Sequence, residues 1–500
     1  MRNPNVQLSL QTSTLVVGFM AWVLISSLMS YIQQDIPLTS GQTSIVTAIP
    51  VILGSLLRIP IGFYTDRFGA RNIFLISFII LLFPVFYISI ASSFIDLVIG
   101  GLILGIGGAV FSVGVTSLPK YYPKEKHGFI NGVYGVGNIG TAITTFGAPI
   151  IAENIGWQGT VRIFLIIILI YCALIFIFGD RKEERKKKSM KEEIAGVYRN
   201  STLWFLSLFY FITFGAFVAF TMFLPAFLVD YFGLTPVDAG IRTGIFVVIA
   251  TVMRPIGGLL ADKFNTYIIL MFVFLGITLS GILLSFSPDI GWYTVGALTV
   301  GVTVGIGNGA IFKLVPLFFS KQAGVVNGIV SAIGGLGGFF PPLLLAAVSS
   351  ITGQHAIAFM LLSEFALVSF VIVIFMYYQE RVSLERQIIL GAVEGIIITD
   401  QHAVIQNVNP TFTELFGYTE EEVVGKTSQL LRSDKHDDAF FQDMWKSLQQ
   451  QGFWEGEVWN KTKDGDVKRE FLTISHVTNQ AGEIKYYVGR FYDYDHAAAT

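Results

Sequence analysis

The chain contains twelve apolar stretches, each long enough to cross a lipid bilayer as a helix. A hydrocarbon core of about 30 Å needs roughly twenty apolar helical residues. Stretches of this size begin near 13, 44, 73, 97, 129, 160, 203, 240, 267, 292, 324 and 354. No alternating ten-residue strand pattern, as a barrel would require, accompanies them. The sequence therefore predicts an all-α polytopic membrane protein of twelve transmembrane helices in two six-helix bundles.

Composition excludes several classes of protein. With 53% hydrophobic and 14% charged residues, most of the chain is too apolar for a soluble enzyme. The one cysteine, Cys172, lies inside an apolar stretch, which excludes a disulfide framework and a cysteine-rich metal site. A net charge of −2 gives no indication of a nucleic-acid partner. The first apolar stretch is longer than a signal-peptide core and lacks a cleavage site, so we expect it to be retained as span 1.

The positive residues predict the orientation in the membrane. One set of connectors is rich in Lys and Arg and holds Arg67, Arg71, Lys120, Lys124, Lys126, the charged run 180–193, Lys263 and Lys321. The other set holds no Lys or Arg, and comprises 34–43, 91–96, 152–158, 227–239, 287–291 and 350–355. Because cytoplasmic loops are enriched in Lys and Arg, we expect a multi-pass protein of the cell membrane with both termini in the cytoplasm.

The distribution of apolar and charged stretches divides the chain into domains. A membrane domain covers 1–380, with halves at about 1–180 and 200–380 and a cytoplasmic linker at 181–199. A helical connector at 381–387 then leads into a charged, globular segment at 388–495, whose short alternating strands predict an α+β domain.

The two halves share a repeated segment. RIPIGFYTDRFGAR at 58–71 aligns with RPIGGLLADKF at 254–264 at a constant offset. The first copy resembles the loop signature of the major facilitator superfamily. That resemblance implies a conformational latch between helix ends, formed by Gly62, Asp66, Arg67, Arg71, Asp262 and Lys263. The second copy departs from the signature at Lys263 and Asn265, so we expect its latch to be weaker.

Both copies begin with an intramembrane arginine. Arg58 precedes Asp66 by eight residues, which places it about 12 Å inside the membrane at about 1.5 Å per residue. Arg254 lies at the same depth. The spans offer Glu364 as the one clear carboxylate partner, so the arginines favour an anion site facing a shared cavity. Lys313 is closer to a helix end, where snorkelling to the interface is the expected role.

Spans 5 and 11 are rich in glycine, as in GFINGVYGVGNIGTAITTFGAP and GVVNGIVSAIGGLGGFFPP. Together with one arginine in each of spans 2 and 8, these segments resemble the nitrate/nitrite porter family over roughly 1–380. The resemblance implies nitrate or nitrite held between Arg58 and Arg254. It further implies contacts from Tyr210, Phe214, Phe111, Asn131 and Asn327, and no metal or cofactor for transport.

The C-terminal segment resembles a PAS domain. Its elements include VNPTFTELFGYTEEEVVGK and FWEGEVWNKTKDG. Haem, flavin, a small metabolite or simple dimerisation remain open as its ligand or role, although the helical region lacks the cysteine of photoreactive flavin domains. Such a domain can act on its own transporter, on a second copy or on a separate signalling partner.

Secondary active transport of nitrate or nitrite is the function these features favour, and two alternatives stay open. One is a nitrate receptor that signals through the PAS domain without turnover. The other is a porter for a different small anion, such as formate, oxalate or a monocarboxylate. Proton symport and nitrate/nitrite exchange are both compatible with the sequence.

Overall fold

The computed structural model describes residues 3–183, 189–287, 289–339, 356–478 and 484–493. They divide into two compact units, Met1–Phe375 and Met376–Thr500. The boundary falls inside one helix, Ala356–Leu390, which includes the predicted connector at 381–387. Three segments with predictions, 184–188 of the linker, the connector 350–355 and 494–495 of the second domain, lie outside the described residues.

The first bundle follows the chain through six spans, several of them built from short helices in line. Span 1 consists of Pro4–Trp22, Leu24–Ser27 and Met29–Asp35, span 2 of Ser40–Leu56 and Arg58–Phe68, and span 3 of Ala70–Ile88. Span 4 consists of Phe94–Leu104, Ile106–Ala109, Phe111–Ser117 and the 3₁₀ turn Leu118–Tyr121. After a second 3₁₀ turn, Lys124–Lys126, span 5 begins as His127–Gly135 and Val136–Asn138, and Ile139–Phe178 completes it and forms span 6.

The second bundle follows a short linker helix, Met190–Val197. Its spans are Ser201–Phe232 (span 7), Pro236–Lys263 (span 8), Thr266–Ser285 (span 9), Ile290–Phe318 (span 10), Ala323–Gly337 at the start of span 11, and Ala356–Leu390, which contains span 12.

Nine helices within the described residues are long and apolar enough to cross a membrane. The difference from the predicted twelve has physical causes. Span 1 is interrupted at Val23 and Leu28, and the described part of span 11 has 15 residues. Spans 5 and 6 run together because Gly156 turns the chain within one residue at φ 76°, a conformation that favours glycine. The predicted fold class, two helical bundles followed by an α+β domain, is confirmed.

Glycines bring the two halves into contact where span 2 crosses span 11 and span 8 crosses span 5. A Cβ on Gly62 would overlap with the carbonyl oxygen of Gly324, and a Cβ on Gly258 would overlap with that of Gly128. These four residues occupy equivalent positions in the two repeats. Small residues of this kind let helix backbones approach closely in membranes.

The second unit contains a five-stranded antiparallel sheet in the order β2-β1-β5-β4-β3. The strands are β1 Gly395–Asp400, β2 Ile405–Val408, β3 Phe453–Lys461, β4 Val467–Thr478 and β5 Ile484–Asp493. Between β2 and β3 lie the helices Pro410–Phe416, Glu420–Val423 and Asp438–Gln451 and the 3₁₀ turn Ser428–Leu431. Phe412, Phe416, Leu472 and Phe491 belong to the core between them.

The Asn-Pro pair at the start of the first of these helices explains part of this arrangement. Asn409 is buried and caps the helix by accepting from the backbone N–H of Phe412, while Pro410 occupies the first helical position. The same side chain accepts from the N–H of Ile396 at 2.7 Å and donates to the carbonyl oxygen of Glu394 at 2.8 Å. One amide therefore fixes the helix against the first strand.

The contact between spans 8 and 5 can be tested with a single methyl group. We expect Gly258→Ala to lower the Tm of the detergent-purified protein, because overpacking at a rigid backbone contact costs about 1–3 kcal/mol. Gly147→Ala on span 5 is the control, since a Cβ there meets nothing within 4 Å. Equal Tm values for the two variants would contradict this packing.

Candidate anion site between the two halves

The two intramembrane arginines lie at the centre of the membrane unit. Arg58 is 0% exposed on span 2, and Arg254 is 2% exposed on span 8. A charged side chain near the middle of a bilayer costs about 2.5–3.5 kcal/mol or more, and usually faces a cavity or a partner. The contacts of both guanidinium groups therefore determine what the centre of the protein can bind.

Each arginine donates a hydrogen bond to the backbone of the opposite half. Nη1 of Arg58 donates to the carbonyl oxygen of Ser331 on span 11 at 2.7 Å, and Nη1 of Arg254 donates to that of Gly135 on span 5 at 3.1 Å. Ser331 and Gly135 are equivalent positions in the two repeats. The two arginines are thus held in pseudo-symmetric settings that span both halves.

The remaining donors differ between the two arginines. Nε of Arg58 donates to the carbonyl oxygen of Gly108 at 3.2 Å, while its buried Nη2 has no hydrogen-bond partner among the described residues. Nη2 of Arg254 donates to the hydroxyl of Tyr210 at 3.1 Å. Within the described part of the chain, Arg58 therefore keeps one donor without a partner.

Two phenylalanines connect the arginines. The Cζ of Arg58 lies 5.4 Å from the ring centre of Phe111 and 5.3 Å from that of Phe214. The Cζ of Arg254 lies 5.9 Å and 5.5 Å from the same two rings. Tyr210 stacks on Phe214 with ring centres 5.0 Å apart. Arg58, Arg254, Phe111, Phe214 and Tyr210 therefore form one cluster, hereafter the central cluster.

The central cluster has an excess of positive charge. Among the described residues neither arginine forms an ion pair with a carboxylate. Glu364, the carboxylate that the sequence offered, is exposed on its helix. Two guanidinium charges surrounded by aromatic rings and backbone carbonyls can bind a small anion, because their planar forks match flat oxyanions.

A cavity of about 360 Å³ leads to this cluster from one side. Phe214 and Asn138 are among its lining residues, as are Thr47 and Val51 of span 2. Thr47 and Val51 precede Arg58 on their helix, whereas Asp66 follows it. The cavity is therefore on the side of the arginines opposite the latch.

On the latch side, Asp66 joins the two halves. Its carboxylate accepts from the N–H of Gly324 at 3.1 Å, in the first turn of span 11, and forms a salt bridge of 2.8 Å with Lys120. Lys120 also contacts Glu183 of the linker at 3.0 Å. A carboxylate at a helix N-terminus is stabilised by the free N–H groups and the helix dipole.

The second copy of the latch has the same design. Asp262 accepts from the N–H groups of Gly128 and Phe129 at 3.0 and 2.7 Å, in the first turn of span 5, and Lys313 lies 3.0 Å from it. Asp262 thus has two backbone donors and a lysine as partners, and the expectation that this copy is weaker stays a prediction. Lys313 is an ion-pair partner, and not only an interfacial anchor.

Three basic residues of the expected latch lie elsewhere. Arg67 is exposed over the ring of Phe68, and Lys263 is exposed. Arg71 donates to the carbonyl oxygen of Phe176 at 2.9 Å, at the end of span 6. Arg67 and Lys263 each follow an aspartate by one residue, so they project about 100° away from it around the helix. The aspartates pair instead with lysines of other spans, namely Lys120 on span 4 and Lys313 on span 10.

The asparagines of spans 5 and 11 serve different contacts. Asn131 donates to the carbonyl oxygen of Phe312 at 3.2 Å, and Asn327 to that of Val115 at 3.1 Å, so both amides bridge helices. Asn138 is 1% exposed, and neither of its amide atoms has a partner among the described residues. Because Asn138 also lines the cavity, it is the better candidate for a direct contact with an anion, although it was not among the contacts predicted from the sequence.

The PAS unit has a cavity of its own, of about 180 Å³. Met444, Leu472 and Phe491 give it an apolar lining, and Thr399 and Asn460 add polar groups. Pockets for drug-sized ligands are about 300–1,000 Å³, and this cavity is smaller. Haem, flavin and a small metabolite as its ligand stay predictions. Among the described residues no histidine lines it, and Nε2 of His436 accepts from the backbone N–H of Trp459 at 3.0 Å.

Comparison with protein families gives two matches. A model described as the Major Facilitator Superfamily matches residues 12–342, and a model described as the PAS fold matches residues 384–494.

Relatives match over most of their own length. A protein named nitrite extrusion protein, from Bacillus subtilis strain 168, is 67% identical over 377 residues, which cover 75% of this chain and 95% of that protein. A protein named probable nitrate transporter NarT, from Staphylococcus haemolyticus, is 53% identical over 374 residues, which cover 75% of this chain and 97% of that protein.

Solved structures share the fold of the membrane unit. The transporter FucP in its outward conformation matches with a TM-score of 0.63 at 16% identity, over 74% of this chain and 98% of its own. The human organic anion transporter MFSD10 matches with a TM-score of 0.62 at 15% identity, over 75% of this chain and all of its own.

Proposed function

Because this chain belongs to the Major Facilitator Superfamily and ends in a PAS fold, we propose that it moves nitrate and nitrite across the membrane by alternating access. The observation that supports this most directly is the pair of buried arginines, which share two aromatic rings and have no carboxylate partner among the described residues. Relatives named for nitrite extrusion and nitrate transport add the identity of the anion.

The anion binds between Arg58 and Arg254. Its negative charge offsets part of the cost of two cations in a medium of low dielectric constant. The guanidinium forks donate in the plane of the ion, while Phe111 and Phe214 pack on its flat faces. Tyr210 holds Arg254, and Asn138 adds an amide from the cavity wall.

The structure represents a state closed on the latch side. Asp66 and Asp262 fasten spans 2 and 8 to spans 11 and 5, while the cavity approaches the arginines from the other side. We place the latch side in the cytoplasm, because Lys and Arg are concentrated in the connectors there. The cavity then faces outward, and release inside requires both aspartates to leave the helix N-termini.

The binding site predicts a sharp difference between arginine and lysine. We expect Arg58→Lys or Arg254→Lys to abolish nitrate uptake into proteoliposomes, because lysine keeps the charge and loses the planar fork. Arg242→Lys is the matched control: Arg242 lies on span 8 and donates to Thr294, away from the central cluster. Normal uptake by either central variant would refute the site.

Exchange of nitrate for nitrite is the coupling that the site supports best. Proton symport usually requires an intramembrane carboxylate or histidine, and Glu364 is exposed on its helix. Exchange needs neither, because one anion replaces another between the same two arginines.

We therefore expect labelled nitrate to enter proteoliposomes at least tenfold faster when they contain nitrite than when they contain an impermeant buffer. A pH gradient without internal nitrite should have little effect. Uptake driven by the pH gradient alone would instead identify proton symport.

Two alternative functions give different results in the same assay. A nitrate receptor binds labelled nitrate without accumulating it. A porter for formate, oxalate or a monocarboxylate accumulates its own substrate, and that substrate outcompetes nitrate.

We further propose that the PAS domain regulates this transport in response to a compact intracellular metabolite. Its cavity of about 180 Å³ suits such a molecule, and the helix Ala356–Leu390 joins span 12 to the domain without a break.

Removal of the domain tests this regulation. We expect deletion of residues 388–500 to leave the KM for nitrate unchanged, because the central cluster is intact, and to abolish changes of uptake with the metabolic state of the cell. Uptake that responds to cell state as in the full chain would refute the regulatory role.

A further inference from the structure

Two buried hydroxyl groups near the arginines have no hydrogen-bond partner among the described residues. They belong to Ser55, which is 0% exposed, and Thr251, which is 1% exposed. A buried hydroxyl without a partner costs roughly 1–3 kcal/mol. Other hydroxyls in the same region avoid this cost: Ser112 and Ser331 bond each other at 3.0 Å, and Thr213 donates to the carbonyl oxygen of Phe209.

The two hydroxyls occupy equivalent positions in the repeats. Ser55 precedes Arg58 by three residues, and Thr251 precedes Arg254 by three residues. Residues three apart lie on the same face of a helix, about one turn from each other. Each hydroxyl is therefore one turn from its arginine, on the side toward the cavity.

On span 2 this position continues the wall of the cavity. Thr47 and Val51 line the cavity, and Ser55 follows Val51 by four residues on the same helix face. Along the helix, Ser55 therefore lies between the lining residue Val51 and Arg58.

Gly335 on span 11 leaves the space beside Ser55 and Arg58. A Cβ at Gly335 would overlap with Oγ of Ser55 and would lie 3.3 Å from Nη1 of Arg58. The hydroxyl and the guanidinium therefore border the same small volume. Nη2 of Arg58, the donor without a partner, belongs to the same guanidinium.

We propose that Ser55 and Thr251 are anion ligands that make the site prefer nitrate to nitrite. This inference rests on the proposed function. The two guanidinium forks hold two oxygens of the ion, and the hydroxyls donate to the third oxygen, which nitrate has and nitrite lacks. The pseudo-symmetric placement supplies such a donor from each half.

Measurements of KM on the full chain in proteoliposomes test the proposal. We expect Ser55→Ala and Thr251→Val each to raise the KM for nitrate about tenfold, the effect of losing one hydrogen bond to a charged group, with the maximal rate retained. The KM for nitrite should change less than threefold. Thr251→Ser, which keeps the hydroxyl, should retain the original KM for nitrate.

Two partnered hydroxyls provide matched controls. Thr243 lies on span 8 and its hydroxyl donates to the carbonyl oxygen of Ala239, while Ser207 lies on span 7 and its hydroxyl donates to that of Leu203. The control variants are Thr243→Val and Ser207→Ala. Both should leave the two KM values unchanged. A nitrate KM in Ser55→Ala and Thr251→Val equal to that of the controls would overturn the proposal, and so would equal increases for nitrate and nitrite.

The arginine variants separate this proposal from the function on which it rests. If Arg58→Lys abolishes uptake while Ser55→Ala and Thr251→Val behave like the controls, the hydroxyls are not ligands and the transport site stands. If Arg58→Lys retains normal uptake, the anion site itself is wrong.

Discussion

Two guanidinium charges in the apolar centre of the membrane unit impose the main constraint on this structure. Arg58 and Arg254 are buried, and the described residues offer them backbone carbonyls, a tyrosine hydroxyl and aromatic faces in place of carboxylates. Such partners solvate a cation without neutralising it. The centre therefore keeps a positive potential that a small anion can lower, and the neighbouring groups are arranged around that requirement.

The same hydrogen bonds connect binding to the movement of the halves. Arg58 donates to Ser331 of the second half, and Arg254 donates to Gly135 of the first. If the two halves rotate relative to each other, both hydrogen bonds lengthen. Each guanidinium group then loses a carbonyl acceptor, which is unfavourable unless another acceptor takes the place of that carbonyl. A bound anion supplies that acceptor. Under the proposed function, occupancy would therefore lower the free energy of passing between states, as exchange of one anion for another requires.

The depth of the two arginines in the membrane and the repeat that relates them could be predicted from the sequence. The contacts between residues of different helices could not. Counting residues at about 1.5 Å each placed Arg58 well inside the membrane, and the repeat supplied Arg254 as its equivalent. The contacts of Lys120 and Lys313 with the latch aspartates could not be predicted, because these lysines approach from other spans. Gly156, Asn138, Ser55 and Thr251 depend likewise on packing: an unpartnered amide or hydroxyl is visible only once the surrounding backbone is in place.

The pseudo-symmetry of the two halves is close at the latch and broken at the binding site. Asp66 and Asp262 make equivalent contacts, so the two locks can open together. At the centre, however, Nη2 of Arg254 donates to the hydroxyl of Tyr210, while Nη2 of Arg58 has no hydrogen-bond partner among the described residues. Under the proposed function, an anion that arrives from the cavity would therefore find its first unoccupied donor on Arg58. Under the same proposal, binding to Arg254 would compete with Tyr210, so the two arginines would engage the ion in sequence. The second engagement would be the step that involves the second half, because Arg254 lies on span 8.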